Sequence, residues 1–328
     1  MAETTNTEQY YKVLDEGAAI LQKEKDLFYL EALGSMGELL FTQKFPDEMG
    51  AGPKENLENI INTLPPEVQR EEIRRAMQLA ILKGMKEATQ PHHALTPDAV
   101  ALFIGYLTNI VLSKETDDPV LLLDPAAGAG NLLTAVLNQL SKKGHAVGAE
   151  PDETLLKLAY VNANLQEHTV DLFHQDSVAT STVDNVHAVV TDLPAGYYPD
   201  DKKAAEFKTG ADSGHSYVHH LLIEQSIRHV REGGFLIFLI PNGLFQSEQA
   251  DKLQVLLKED ADIYSLLQLP ESMFKSKESG KSILILRRKK QGVIPPRQAL
   301  LAELPSFTRE AALADMMKRI SSWFDDHL

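Results

Sequence analysis

Four apolar runs in the middle of the chain each end in a carboxylate: "VLLLD" (120–124), "HAVGAE" (145–150), "VDLFHQD" (170–176) and "HAVVTD" (187–192). Runs this short, rich in branched residues, read as strands. The segments between the first three, "NLLTAVLNQLSKKG" and "DETLLKLAYVNANLQEH", are long enough for crossover helices. Strand and helix in alternation imply a mainly parallel sheet with helices on both faces. Three more strand candidates follow: "GFLIFLIP" (234–241), "IYSLLQLP" (263–270) and "SILILRR" (282–288). A short connection separates the last two, which predicts an antiparallel pair.

The flanks have another character. Residues 1–90 read as a helical domain for packing or dimerisation: Val13, Ala18, Ile20, Leu21, Leu27, Leu30 and Leu33 fall near helical spacing, and Val68, Ile73, Met77, Ala80, Ile81 and Met85 form a second stripe. Residues 91–290 hold the alternating region, and 291–328 read as a helical tail. No run of about 18 apolar residues predicts a membrane span, and the polar, acidic start does not read as a secretory signal. The chain has no cysteine, which excludes disulfides and thiolate metal sites and fits a cytoplasmic protein. Its net charge is −15, and no segment is basic overall. A dedicated nucleic-acid-binding domain is therefore not visible in the charge. The dense basic run "LRRKKQ" (286–291) reads as a solvated strand end.

The first strand leads into "DPAAGAGNLL", an acid and a small-residue loop before a helix. Gly128 and Gly130 allow a sharp turn and leave room for a ligand at the helix start. A dinucleotide fingerprint needs a third glycine where this chain has Leu133, so a pyrophosphate site and a dehydrogenase are disfavoured. Asp124 suits a cationic or amino-bearing ligand. Glu150, ending the second strand, is placed to accept from both hydroxyls of a ribose, and Asp176, ending the third, from an adenine amino group. Asp192 ends the fourth. Acids at the carboxyl ends of consecutive strands converge on one crevice.

With these motifs the chain resembles the class I S-adenosylmethionine-dependent methyltransferases, and within them the N-6 adenine-specific DNA methylase family, in its type I modification-subunit-like and YtxK-like branch. The similarity spans roughly 90–290. "ALTPDAVALFI" resembles the segment ahead of the first strand, "DPAAGAGNLL" the first motif, "GAEPD" and "HQDSV" the ribose and adenine acids, and "LPESMFKSKESGKSILILRRKK" the late strands. The resemblance implies a Rossmann-like α/β sheet of seven strands, mainly parallel with a C-terminal antiparallel strand, behind an N-terminal α-helical domain. It implies S-adenosylmethionine held by Thr96, Asp124, Pro125, Ala126, Gly128, Gly130, Asn131, Glu150, Asp176, Ser177, Asp192 and Leu193. Thr96 would touch the methionine end.

The family's catalytic signature is Asn or Asp, Pro, Pro, aromatic. Here it reads Asp192, Leu193, Pro194, Ala195. An exocyclic amine is a poor nucleophile until its hydrogens are held. Asp192 supplies a side-chain acceptor, and the carbonyl of Leu193 or Pro194 a second. The stacking aromatic is missing at 195; either Tyr197 or Tyr198 replaces it, or both simply pack. The reading is therefore a methyltransferase acting on an exocyclic amine, with DNA adenine as the expected acceptor. Two alternatives remain: an amino methyltransferase acting on RNA or protein, and a non-catalytic S-adenosylmethionine-binding protein whose residues 1–90 engage a protein partner or a second copy. The short tail after 290 carries no recognisable target-recognition domain. "YPDDKKAAEFKTGADSGHS" (198–216) reads as a mobile loop over the cleft. His215 and His219 have metal-ligand spacing, but no acid accompanies them and the reaction needs no metal.

Overall fold

The computed structural model describes residues 5–46, 49–87, 94–181 and 183–328. Four helices open the chain: α1 (Asn6–Lys25), α2 (Tyr29–Thr42), α3 (Ala51–Ile61) and α4 (Arg70–Glu87). The boundary expected near residue 90 lies outside the described residues. Thr5 starts α1, accepting from the Glu8 amide while the Glu8 carboxylate takes the Thr5 amide. That exchange satisfies donors that the first turn would otherwise leave open. Leu14, Ala18 and Leu21 of α1, Leu33 and Met36 of α2, and Met77 and Ile81 of α4 meet in one buried cluster.

The sheet region follows as α5 (Asp98–Val111), β1 (Val120–Asp124), α6 (Asn131–Gln139), β2 (Gly144–Ala149), α7 (Glu153–Leu165), β3 (Thr169–Phe173), β4 (Val186–Asp192), α8 (Asp201–Ala204), α9 (Val218–His229), β5 (Val230–Pro241), α10 (Ala250–Asp260), β6 (Ala261–Gln268) and β7 (Lys281–Arg288). All seven expected strands form. The sheet has an eighth, β8 (Leu300–Glu303), and the order is β3-β2-β1-β4-β5-β7-β6-β8. Only β7 runs against its neighbours. β8 lies in the tail expected to be helical, where it pairs parallel to β6. "LLAE" has no strand pattern of its own; it becomes a strand because the open edge of β6 offers backbone partners. The rest of the tail is helical as expected, α11 (Glu310–His327), and buries Ile320 and Phe324.

One face of the sheet is covered by α5, α6 and α11, around Ile104, Val136 and Phe324. The other is covered by α9 and α10, around Leu221, Ile223 and Leu253. The opening helices do not stand apart. Their cluster takes in Leu155, Leu158 and Val161 of α7. Gly37 of α2 lets the helices touch, because a Cβ there would lie 2.1 Å from Val161 Cγ1. Among the described residues, no helix is long and apolar enough to cross a membrane.

Candidate functional site

β1 and β4 are neighbours, yet the chain leads away from them in opposite directions, to β2 and β3 on one side and β5 on the other. A crevice opens beyond the carboxyl ends of the strands at such a point. A cleft of about 640 Å³ lies there, within the usual range for small-molecule sites. Its lining includes Thr96, Asp124, Ala126, Gly128, Asn131, Glu150, Asp192, Leu193 and Pro194, nine of the residues named from sequence.

One half of the cleft is the first loop. Asp124 is 1% exposed, and its Oδ1 accepts from the Ala126 amide at 3.1 Å. Burial pushes its carboxyl up to about 7, with the nearby Asp192 and Glu150 carboxylates adding to the effect. Pro125 is buried behind the loop. Both loop glycines have positive φ, 53° at Gly128 and 76° at Gly130, but they serve different ends. A Cβ on Gly128 would meet nothing within 4 Å, so this glycine keeps the cleft open. A Cβ on Gly130 would stand 3.1 Å from the Ala159 backbone, so that glycine lets α6 start against α7. Glu150 spans the loop: Oε2 accepts from the Gly128 amide and Oε1 from the Asp152 amide, both at 2.9 Å.

Asp176 and Ser177 lie past the end of β3 and do not line the cleft. Asp176 accepts from the Val178 amide at 2.8 Å and from the Tyr198 hydroxyl at 2.6 Å. This corrects the expectation for Tyr198. It is 5% exposed, packs among Leu193 and Phe207, and spends its hydroxyl on Asp176, so it has no free face for a base. Burial and the Asp176 carboxylate both hold its phenol protonated. The Ser177 hydroxyl is buried without a partner among the described residues.

The other half centres on Asp192. Its Oδ2 accepts from Thr96 Oγ1 at 3.0 Å, and its Oδ1 from Lys281 Nζ at 2.6 Å. The Thr96 carbonyl accepts from Asn131 Nδ2 at 3.3 Å, and Asn131 Oδ1 accepts from Arg74 Nη1 at 2.9 Å. Arg74 belongs to α4, is wholly buried, and is clamped by Glu71 at 2.6 and 2.8 Å and by Asp98. A continuous chain of hydrogen bonds thus runs from the opening helices to Asp192. Sequence reasoning singled out neither Lys281 nor Arg74. Lys281 had a partial signal: it heads the second of two strands expected to be antiparallel, and the reversed strand of such a pair starts at the cleft edge. Arg74 had none, since an arginine on an amphipathic helix reads as solvated.

Leu193 is buried and its amide donates to the Leu239 carbonyl at 3.1 Å. Pro194 and Ala195 are exposed on the cleft rim. The buried His219 ring lies near the Pro194 backbone, and desolvation pushes its imidazole down to about 4, so it is neutral near pH 7. Tyr197 is 58% exposed and stacks on Tyr217 with centroids 4.9 Å apart; Tyr217 stacks in turn on His219 at 5.2 Å.

The segment expected to be mobile is bonded here to α9 and α10. The buried Glu224 carboxylate accepts from the amides of Lys208 and Thr209 at 3.0 and 2.8 Å, and from the Thr209 hydroxyl at 2.9 Å. Lys252 holds Gly210 and Asp212, each at 2.6 Å. His215 pairs with Asp201 while His219 faces Pro194, so the two rings share no ligand position. Glu115, Asp117 and His187 do bring three metal-ligating types together. However, His187 Nδ1 accepts from the Leu121 amide, so its Nε2 carries the hydrogen that it gives to Asp117 at 2.8 Å, and Arg231 supplies the cation. That cluster is an ion-pair network. The basic run sits at the opposite end of β7 from the cleft, with Arg287 and Arg288 donating to the carbonyls of Gly233 and Val230.

Comparison with known proteins agrees with this geometry. Residues 8–85 match the YtxK N-terminal helical domain, and residues 85–308 match the N-6 DNA Methylase family. The chain is 43% identical over 319 residues to the uncharacterised protein YtxK of Bacillus subtilis (strain 168), covering 96% of each. A crystal structure from Listeria monocytogenes, provisionally assigned as a class I S-adenosylmethionine-dependent methyltransferase, superposes with a TM-score of 0.89 at 38% identity, covering 97% of this chain and 99% of that one. A type I restriction enzyme modification subunit from Vibrio vulnificus YJ016, also a provisional assignment, shares the fold at a TM-score of 0.64 and 15% identity, covering 88% of this chain and 65% of that one. The chain belongs to the N-6 DNA methylase family and carries the YtxK type of helical domain ahead of its methyltransferase sheet.

Proposed function

We propose that the protein transfers a methyl group from S-adenosylmethionine to an exocyclic amine, with adenine in DNA as the acceptor. The observation that carries this reading is the position of Asp192 in the same cleft as Asp124, Gly128 and Glu150. The residues present fit the cofactor. Gly128 leaves the loop open, Glu150 presents a fixed carboxylate for the ribose hydroxyls, and the buried Asp124 has a strong incentive to gain a cationic amino group. Thr96, Ala126, Asn131 and Leu193 complete the wall, with Pro125 and Gly130 shaping the loop behind it. Asp176 and Ser177, past the end of β3 and outside the cleft lining, are proposed for the adenine end.

The cofactor supplies a sulfonium methyl, already activated for displacement by a nitrogen lone pair. This chain then supplies positioning, which is a large part of such a rate. Asp192 accepts one amine hydrogen. The carbonyl of Leu193 or Pro194 accepts the second. As the nitrogen bonds to carbon it sheds one hydrogen, toward Asp192 and water. Tyr197, not Tyr198, supplies the stacking ring; a base–aromatic contact is worth about 1–3 kcal/mol.

A second reading has its own observation. Ala195 leaves the rim beside Asp192 without an aromatic side chain, which favours a protein that binds the cofactor without turnover and acts through a partner. Two measurements separate the readings: calorimetric titration of S-adenosylmethionine, and labelled methyl transfer to duplex DNA, single-stranded DNA and RNA. Binding with transfer to DNA that Asp192→Ala abolishes, cofactor affinity being kept, is the expected result. Binding without transfer to any nucleic acid favours the second reading. Absence of cofactor binding sinks both.

A further inference from the structure

The geometry points to Lys281 as a recognition residue for the acceptor: its ammonium donates to the ring nitrogen beside the methylatable amine, so the cleft selects an amine flanked by an acceptor, as on adenine or cytosine, over an isolated aliphatic amine. This inference rests on the methyl-transfer reading of the cleft. Lys281 is the first residue of β7, and the reversed direction of that strand sets it at the carboxyl edge of the parallel strands. Its Nζ lies 2.6 Å from Asp192 Oδ1, and both side chains line the cleft. Asp192 is held from its other side by Thr96, so Lys281 and Asp192 present a fixed donor and acceptor side by side.

An ionised carboxylate only accepts and an ammonium only donates. The edge of an adenine offers the converse pair, an amino donor beside a ring acceptor at N1 or N7, and cytosine offers its amino group beside a ring nitrogen. A flipped base is read through such edges. Docking such an edge leaves the two charges together, so neither is stranded in the cleft. An aliphatic amine fits badly. Near neutral pH it is protonated, has no lone pair, and offers Lys281 no acceptor. If Lys281 only neutralised Asp192, its loss would affect every acceptor equally.

The test uses the full chain with Lys281→Met and Lys281→Arg, and DNA acceptors carrying adenine, 1-deazaadenine or 7-deazaadenine. Labelled methyl transfer gives kcat/KM, calorimetry gives S-adenosylmethionine affinity, and melting shows that each variant is folded. The wild type should disfavour one deaza acceptor by roughly tenfold or more. Lys281→Met should lower transfer to adenine to the level of that analogue and erase the preference, with cofactor affinity kept within a few-fold. Lys281→Arg, which keeps the donor, should retain part of the preference. Equal use of all three acceptors by the wild type, or an unchanged preference in Lys281→Met, overturns the inference while leaving methyl transfer standing. Cofactor binding with no transfer to any of the three removes the functional reading, and this inference falls with it.

Discussion

The half of the cleft proposed for the cofactor draws its polar groups mainly from one stretch, Asp124 to Glu150, with Thr96 reaching in from ahead of α5. The half proposed for the acceptor joins Asp192 and Lys281 from distant parts of the chain, with Thr96 bonded to Asp192 where the two halves meet. The first half is fixed largely by local backbone geometry, through positive-φ glycines and carboxylate-to-amide bonds. The second exists only because β7 is reversed, and because the opening helices hold Asn131 and Thr96 through Arg74. Two sites built so differently should respond differently to change, and the acceptor half should be the more sensitive to distant packing.

Arg74→Met tests that difference most severely. It leaves Glu71 and Asp98 facing a neutral side chain and frees Asn131. Glu71 and Asp98 keep contact with solvent, so the main cost is the buried Asn131 left without its partner, about 1–3 kcal/mol. Denaturant unfolding should show a loss of that order, and methyl transfer should fall further than cofactor affinity in whatever fraction stays folded. Equal losses in both would dissolve the contrast.

Asp124 comes next. Its folded-state value of about 7 lies above the ordinary 3.8, so the folded chain takes up a proton. Its stabilising contribution is complete below about pH 4 and is lost as pH rises through about 7. The ligand-free protein should therefore lose stability, on the order of a few kcal/mol, and melt at lower temperature as pH rises across that window. Asp124→Asn should remove this dependence and weaken cofactor binding. A wild type and variant with parallel melting profiles would contradict the assignment.

The glycines give a smaller contrast within the loop. Gly130→Ala should cost about 1–3 kcal/mol of stability from its φ alone, plus displacement of Ala159. Gly128→Ala should show only the φ cost in stability and a further loss in cofactor affinity, because its Cβ enters open cleft. The smallest effect is expected for Glu150→Gln, about tenfold in cofactor affinity with transfer at saturating cofactor nearly unchanged. A fall in saturated turnover would tie the two halves more closely than their construction suggests.

Seven strands were legible because each is an apolar run bounded by turn residues, and the eighth was not, because "LLAE" is a strand only through its partner β6. Tyr197 and Tyr198 were indistinguishable as neighbours in sequence. Packing separated them, sending one ring onto Asp176 and leaving the other stacked on Tyr217. The polar run at 198–216 read as mobile since nothing in it announced Glu224, which fastens it from α9.

By itself the sequence determined the alternation of strand and helix, the glycine loop and the carboxylates at the strand ends, because each depends on residues close together in the chain. Only the tertiary structure decided that Lys281 meets Asp192, that Arg74 supports Thr96 through Asn131, and that Tyr198 is spent on Asp176. Those contacts join residues far apart in sequence. Their geometry is set by strand direction and helix packing, which no local pattern encodes.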